Sequence, residues 1–242
     1  MRWFTERIRA NTQGWPAYMA YCASTTTSPT LARFYGAGYP DPGMPISDVP
    51  LVALDLETTG LDAGRDAIIS VATVPFSIRR IPLAERGYWL VRPPRDALDQ
   101  DSVVIHHITH SALANAPEPS AVLPEVLEHL RGRIPVVHYR YMERAFLDAA
   151  ARQCLGEPLQ FPLIDTMGLE AERYRYSVRA RLAQFIRRAP VSIRLPDSRQ
   201  RYRLPRYDGH HAIHDAIGTA ELLQAQIAWR YRPETPLSRL WF

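Results

Sequence analysis

Apolar residues follow two rhythms along this chain, and each rhythm predicts a different kind of element. Leu51 to Leu56, Ala67 to Val74 and Gly87 to Val91 are short β-rich runs separated by turn or charged segments of hairpin length. They predict three consecutive antiparallel strands. Beyond them, helical spacing at Ala121 to Leu130 leads to a short apolar strand at Ile134 to His138, a helix near Tyr141 to Leu155 and a strand at Phe161 to Asp165. The last strong helix covers about Ala212 to Arg230, with Ile213, Ile217, Ala220 and Leu223 at helical spacing. A meander followed by alternating strands and helices predicts an α/β fold, a mixed five-stranded sheet with helices on both faces.

Residues 1–48 read differently. Their aromatics are scattered, Ser24 to Pro29 is a polar run, and Pro40, Asp41, Pro42, Gly43 and Pro45 make a turn-rich stretch. This predicts an N-terminal extension and linker, with helical pieces around Arg2 to Ile8 and Pro16 to Cys22. The main domain then spans 49–232, and 233–242 form a C-terminal tail.

Composition narrows the classes. A 242-residue chain with 46% hydrophobic residues can bury a core of ordinary size. Its longest apolar stretches, Pro50 to Leu56 and Ala67 to Phe76, fall short of the roughly 20 residues needed to span a membrane, and no signal-peptide run follows Arg2, Glu6, Arg7 and Arg9. The expectation is a cytoplasmic protein with no membrane partner. Cys22 and Cys154 lack any paired or metal-ligand spacing and read as small packing residues. The net charge of +4 suits a polyanionic partner without requiring one. All 29 basic residues are arginines, which fits bidentate phosphate contacts or a bias of nucleotide composition.

The chemistry concentrates first at Asp55 and Glu57, which interrupt and end the run Leu51 to Leu56. Residues two apart on a strand face the same way, so both carboxylates share one face. Two desolvated like charges side by side cost several kcal/mol, about what a divalent cation would relieve. The same pair would also arise if the strand had ended and both acids were solvated turn residues. Thr58, Thr59 and Gly60 follow as a compact turn whose donors suit a phosphate.

The string Asp55-Leu-Glu57-Thr58-Thr-Gly-Leu61 resembles the first motif of the DnaQ-like DEDDh family of 3′→5′ exonucleases, which includes replicative proofreading subunits and oligoribonucleases. His210-His-Ala-Ile-His-Asp215 resembles its third motif, a histidine followed five positions later by an aspartate. Val137-His138 through Glu143 to Leu147 resembles its second, with glutamate where aspartate is usual. The helix geometry supports that alignment: Arg144, Asp148 and Arg152 define a polar stripe, and Glu143 falls on the opposite side with Phe146 and Ala150. Val104 to Thr109 and Ile164 to Thr166 match the family more weakly.

The resemblance, over about residues 50 to 230, implies an RNase H-like fold and a phosphodiester hydrolase. It implies Asp55, Glu57, Glu143 and Asp215 as ligands of two Mg²⁺ or Mn²⁺ ions, and His210 as the general base. Thr58, Leu61 and His138 are implied at the substrate, Leu61 as a wedge beneath the terminal base, while His106 and Asp165 line the cleft or serve the scaffold. The implied partners are single-stranded nucleic acid 3′ ends and a polymerase or repair factor.

Arg173 to Arg206 contains eleven arginines against one acid, Asp197, interleaved with Tyr174, Tyr176 and Tyr202. Arginines for phosphates and tyrosines for bases predict a single-strand groove, against a solvated helical face as the plainer reading. A catalytically inactive single-strand-binding protein would carry the same feature. The repeated HHxxH strings at His106, His107 and His110, and at His210, His211 and His214, would alternatively suit zinc, but neither has the glutamate of HExxH.

Overall fold

The computed structural model describes residues 2–94, 108–177, 189–207 and 211–242; for residues 2–13 and His110 it describes the backbone alone. Five strands, β1 (Leu51–Thr58), β2 (Ile68–Phe76), β3 (Gly87–Leu90), β4 (Ile134–Val137) and β5 (Ile164–Asp165), form one sheet in the order β3-β2-β1-β4-β5. β1, β2 and β3 pair antiparallel, and β4 and β5 add on in parallel. The meander and the alternating units are therefore both present. β5 is shorter than its apolar run. Pro162 lacks an amide hydrogen for a ladder, and pairing to β4 is confined to Val136 with Ile164 and Val137 with Asp165.

The described helices are α1 (Arg2–Thr25), α2 (Pro29–Gly36), α3 (His110–Ala114), α4 (Pro119–Leu130), α5 (Arg140–Leu155), α6 (Thr166–Ala171), α7 (Leu195–Arg201) and α8 (Ala212–Arg230). Alternation along β1 divides them between two faces. Val52, Leu54 and Leu56 pack with residues of α1, α2, α4 and α5, including Phe34, Leu127 and Leu147. Leu51 and Ala53 pack with Ala72, Val74 and the α8 residues Ala212, Ala216, Ala220, Leu223 and Ile227. Each fully buried leucine here contributes roughly 1.5–3 kcal/mol relative to exposure. Alanines at the contact let α8 lie close on the sheet, which sets the height of the residues at its N-terminus.

The two N-terminal helical pieces are both present as the arms of α1, which breaks at Gly14, where the backbone leaves helical geometry at φ 64° and ψ 139° ahead of Pro16. Met19 of α1 and Leu31, Phe34 and Tyr35 of α2 are buried in the sheet-facing core, so this segment covers one face of the sheet. The linker and the tail meet: Ile46 donates its amide to Thr235, and Leu237 donates its amide to Met44. Phe242 donates its amide to Leu163, and Trp241 bridges to Ile164, covering the edge beside β5.

Cys22 and Cys154 are free and half-buried against the core, as their isolated spacing implied. No helix among the described residues is long and apolar enough to cross a membrane.

Candidate active site

β4 flanks β1 only along Leu51–Ala53. From Leu54 onward β1 keeps β2 on one side and leaves the other side open, so its last residues project past the parallel half of the sheet. Asp55 and Glu57 occupy this projecting end, inside the strand and on the face that α8 covers. The alternative of two solvated turn acids is thereby excluded: Glu57 is 6% exposed.

Asp215 enters from the first turn of α8. One carboxylate oxygen from each of Asp55, Glu57 and Asp215 lies within 4.8 Å of the others. Desolvation holds the Asp55 carboxyl well above the usual carboxylate range, and the charges of Glu57, Asp215 and Glu143 push it further the same way. No cation among the described residues offsets this shift at Asp55, so the arrangement is electrostatically incomplete.

Glu143 comes from the first turn of α5 and is buried, as its helical position predicted. It stands outside the three-carboxylate cluster, although its charge reaches Asp55. Burial raises its carboxyl well above the ordinary range; its own backbone amide opposes the shift, and Asp165 adds to it. Its Oε2 is buried with no hydrogen-bond partner among the described residues. A buried acceptor without a donor costs about 1–3 kcal/mol or more when charged, so this atom fits a cation or a water held by one. The four acids thus fit a divalent metal, an oxygen-only donor set of the kind that hard cations prefer.

The other expected residues divide into exposed and internally bonded positions. Leu61, in the turn that follows Glu57, is 85% exposed, an unusual setting for a leucine. The Thr58 hydroxyl donates to Gly60 O at 2.6 Å, and the Thr59 amide donates to Ala67 O, so these donors staple the turn. A Cβ at Gly60 would displace the Asp66 carboxylate, whose Oδ2 accepts the Asp62 amide in this turn. His138 is held at both ring nitrogens, by Thr166 Oγ1 at 2.8 Å and Ile193 O at 3.0 Å. Desolvation lowers its pKa to about 4, which makes it a neutral strut between β4 and the Ile193 segment. His210 and His106 lie outside the described residues, as does most of the Val104 to Thr109 match.

Asp165 proves to be a scaffold residue. Its Oδ1 accepts from the amides of Tyr139 and Met167, and its Oδ2 accepts from Arg140 Nη1 at 2.8 Å. It thereby fixes the entry to α5, where Tyr139 adopts φ 125°, a strained value for a residue with a side chain. That strain, about 1–3 kcal/mol in general, sits four residues before Glu143. No pattern along the chain signals it.

Two arginines of the basic segment serve the scaffold, while Arg173, Arg194, Arg203 and Arg206 are exposed. Arg199 is 4% exposed, with Nη1 on Gly218 O and Nη2 on Glu221. Arg201 binds Glu170 at 2.6 Å and Ser192 O, and Tyr202 also donates to Glu170. These side chains hold α7 against α6 and α8. Residues 178–188 lie outside the described part.

A further group had no signal in the sequence. Tyr88 on β3 stacks on His211 at the start of α8, with ring centroids 5.3 Å apart and planes at 23°. Burial pushes the Tyr88 phenol above its usual pKa, a hydrogen bond with Ser70 opposes the shift, and the charge of Glu57 adds to it. Only alternation on the edge strand hinted at the orientation of Tyr88.

An exonuclease family model, RNase_T, matches residues 52–223. The chain is 32% identical over 121 residues to the DNA polymerase III subunit epsilon of Treponema pallidum, covering 50% of this chain and 55% of that subunit. It is 34% identical over 122 residues to the PolC-type DNA polymerase III of Thermotoga maritima, covering 50% of this chain and 9% of that polymerase. It thus spans about half, or far less, of these relatives. Among solved structures, the nuclease domain of 3′hExo, a DEDDh family member bound to rAMP, superposes with a TM-score of 0.59 at 14% identity, covering 74% of this chain and 92% of that one. The Escherichia coli ExoI–ssDNA complex gives 0.61 at 15% identity, covering 76% and 41%. These structural likenesses establish the RNase H-like fold. With three acids converged where the motifs predicted and the family match spanning the sheet and α8, this chain belongs to the DnaQ-like exonuclease family.

Proposed function

We propose that the protein is a metal-dependent 3′→5′ exonuclease that releases nucleoside 5′-monophosphates from single-stranded nucleic acid. The observation that carries this reading is the convergence of Asp55, Glu57 and Asp215, with buried Glu143 beside them. Asp55, Glu57 and Asp215 would hold two divalent ions, Mg²⁺ or Mn²⁺, with Glu143 contributing directly or through water. Bound there, the metal would supply Lewis-acid stabilisation of charge at the phosphate and lower the pKa of water.

The protein's own contribution is positional and electrostatic. β1 and α8 orient the carboxylates before substrate arrives, and the low exposure of Glu57 and Glu143 keeps competing solvent from them. His210, at the motif position five residues before Asp215, would accept a proton from the attacking water, a role suited to an imidazole near neutral pH. Leu61 would pack under the terminal base. The 49–232 unit would carry the activity in the cytoplasm, and the polymerase III relatives support a polymerase as protein partner.

The test is end-labelled single-stranded DNA and RNA incubated with Mg²⁺, with Mn²⁺ or with EDTA. Stepwise shortening from the 3′ end should require the metal and fall by at least about 10³-fold in Asp55→Ala, the scale of losing a principal electrostatic group. Shortening that survives Asp55→Ala would refute the site. Strand binding without shortening in either metal would instead identify a binding protein.

A further inference from the structure

Asp55 pairs across the sheet with Ala72, and Ala72 pairs with Tyr88. The three residues form one row, pointing to one face. Two interstrand spacings put the Tyr88 backbone roughly 10 Å from that of Asp55. That is about three times the 3.4 Å rise between stacked bases on one strand. A base above Tyr88 would therefore be upstream of the nucleotide whose phosphate meets the acids.

The ring is 38% exposed even though His211 covers part of it, and it belongs to none of the described hydrophobic clusters. His211 is itself fixed, because its Nδ1 accepts the Ile213 amide at the start of α8. The aromatic row continues through His214, 5.1 Å from His211, and Tyr207, 6.3 Å from His214. Tyr207 is anchored by its hydroxyl on Glu221 and by the Arg199 guanidinium 4.4 Å from its ring centre. Exposed aromatic faces held rigid are costly in water and suited to receiving another flat ring, since little side-chain freedom is lost on binding.

We propose that Tyr88, braced by His211, is a stacking platform for an upstream base of the single strand. It gives a sequence-tolerant grip, because every base has a π-face while no hydrogen-bond code is read. His214 and Tyr207 extend the aromatic surface from His211 along the start of α8. This inference rests on the exonuclease reading above and adds to it the element that would favour an unpaired strand over a duplex, whose bases are already stacked.

The experiment compares the wild type with Tyr88→Phe, Tyr88→Ala and Tyr88→Leu on two substrates: a single-stranded oligonucleotide, and the p-nitrophenyl ester of thymidine 5′-monophosphate, which has no upstream base. Tyr88→Ala and Tyr88→Leu should raise KM for the oligonucleotide about five- to a hundredfold, the range of one lost base–aromatic stack. The loss on the oligonucleotide should exceed any loss on the ester by at least fivefold. Tyr88→Phe should stay within about twofold of wild type. In a series of oligonucleotides with one abasic residue moved along the 3′ end, one upstream position should weaken wild-type binding and have little effect on Tyr88→Leu. If Tyr88→Ala fails to fold, Tyr88→Leu, which keeps the bulk and lacks the π-face, decides the matter.

Equal losses on both substrates, or no abasic position whose effect depends on Tyr88, would overturn the platform. The exonuclease reading fails separately, if the wild type cleaves neither substrate with Mg²⁺ or Mn²⁺. In that event fluorescence anisotropy in EDTA still decides the platform, which requires the same five- to hundredfold weakening in Tyr88→Leu.

Discussion

Two groups of buried acids, near opposite ends of α8, behave in opposite ways. Glu170 is fully buried, yet its oxygens meet Arg201 at 2.6 Å, Arg230 at 3.3 Å, the Tyr202 hydroxyl and the Gln226 side-chain amide. It is a tie between α6, α7 and α8. Asp55, at the other group, is surrounded by further carboxylates, and burial and neighbours act on it in one direction. Burial of an acid is thus uninformative by itself; the sign of its surroundings separates a structural clamp from a site prepared for a cation.

That contrast can be broken at either end. The largest stability effect is expected at the clamp: Glu170→Gln leaves Arg201 and Arg230 without their shared counter-charge and should cost about 3–5 kcal/mol in urea titration. The folded fraction should keep its nuclease rate, because Glu170 is absent from the acidic cluster. Loss of rate without loss of stability would erase the distinction.

At the site the sign reverses. In EDTA, Asp55→Asn removes one charge from a repelling set and should stabilise the fold by about 0.5–2 kcal/mol, as relief of a functional site commonly does. Thermal melts provide the check: the variant should melt roughly 2–4 °C higher per kcal/mol, and Mg²⁺ should raise the wild-type melting temperature more than that of the variant. A lower melting temperature for Asp55→Asn would mean that the aspartate is a structural partner after all.

The smallest expected effect is at Glu143. Glu143→Asp shortens a carboxylate already outside the three-acid cluster, so the exonuclease rate should change by less than about tenfold, on the order of 1 kcal/mol. A collapse in stability with the rate per folded molecule intact would assign Glu143 to the scaffold.

Most of the sheet was legible because its strands obey local rules. Period-two alternation placed Asp55 and Glu57 on one face, and helical periodicity turned Glu143 inward. The break between the two N-terminal helical pieces was legible for the same reason, because Gly14 and Pro16 are local stop signals that the structure obeys. The role of Arg199 and Arg201 was hidden. Their partners, Glu221 and Glu170, lie outside the arginine-rich window, so a local charge count could not separate these two paired arginines from their exposed neighbours. Tyr88 and His211 were invisible as a pair, because their stacking depends on how α8 crosses β3 and no spacing along one element encodes it.

The unequal flanking of β1 has a consequence for motion. Leu51–Ala53 are gripped by strands on both sides, whereas the stretch bearing Asp55 and Glu57 has β2 alone. Amide hydrogens of the first part can exchange with solvent only when the domain comes apart, while the second part can open locally at a fraction of that free energy. The acids therefore stand where β1 has one strand neighbour, and the amides of that stretch should exchange ahead of those of Leu51–Ala53.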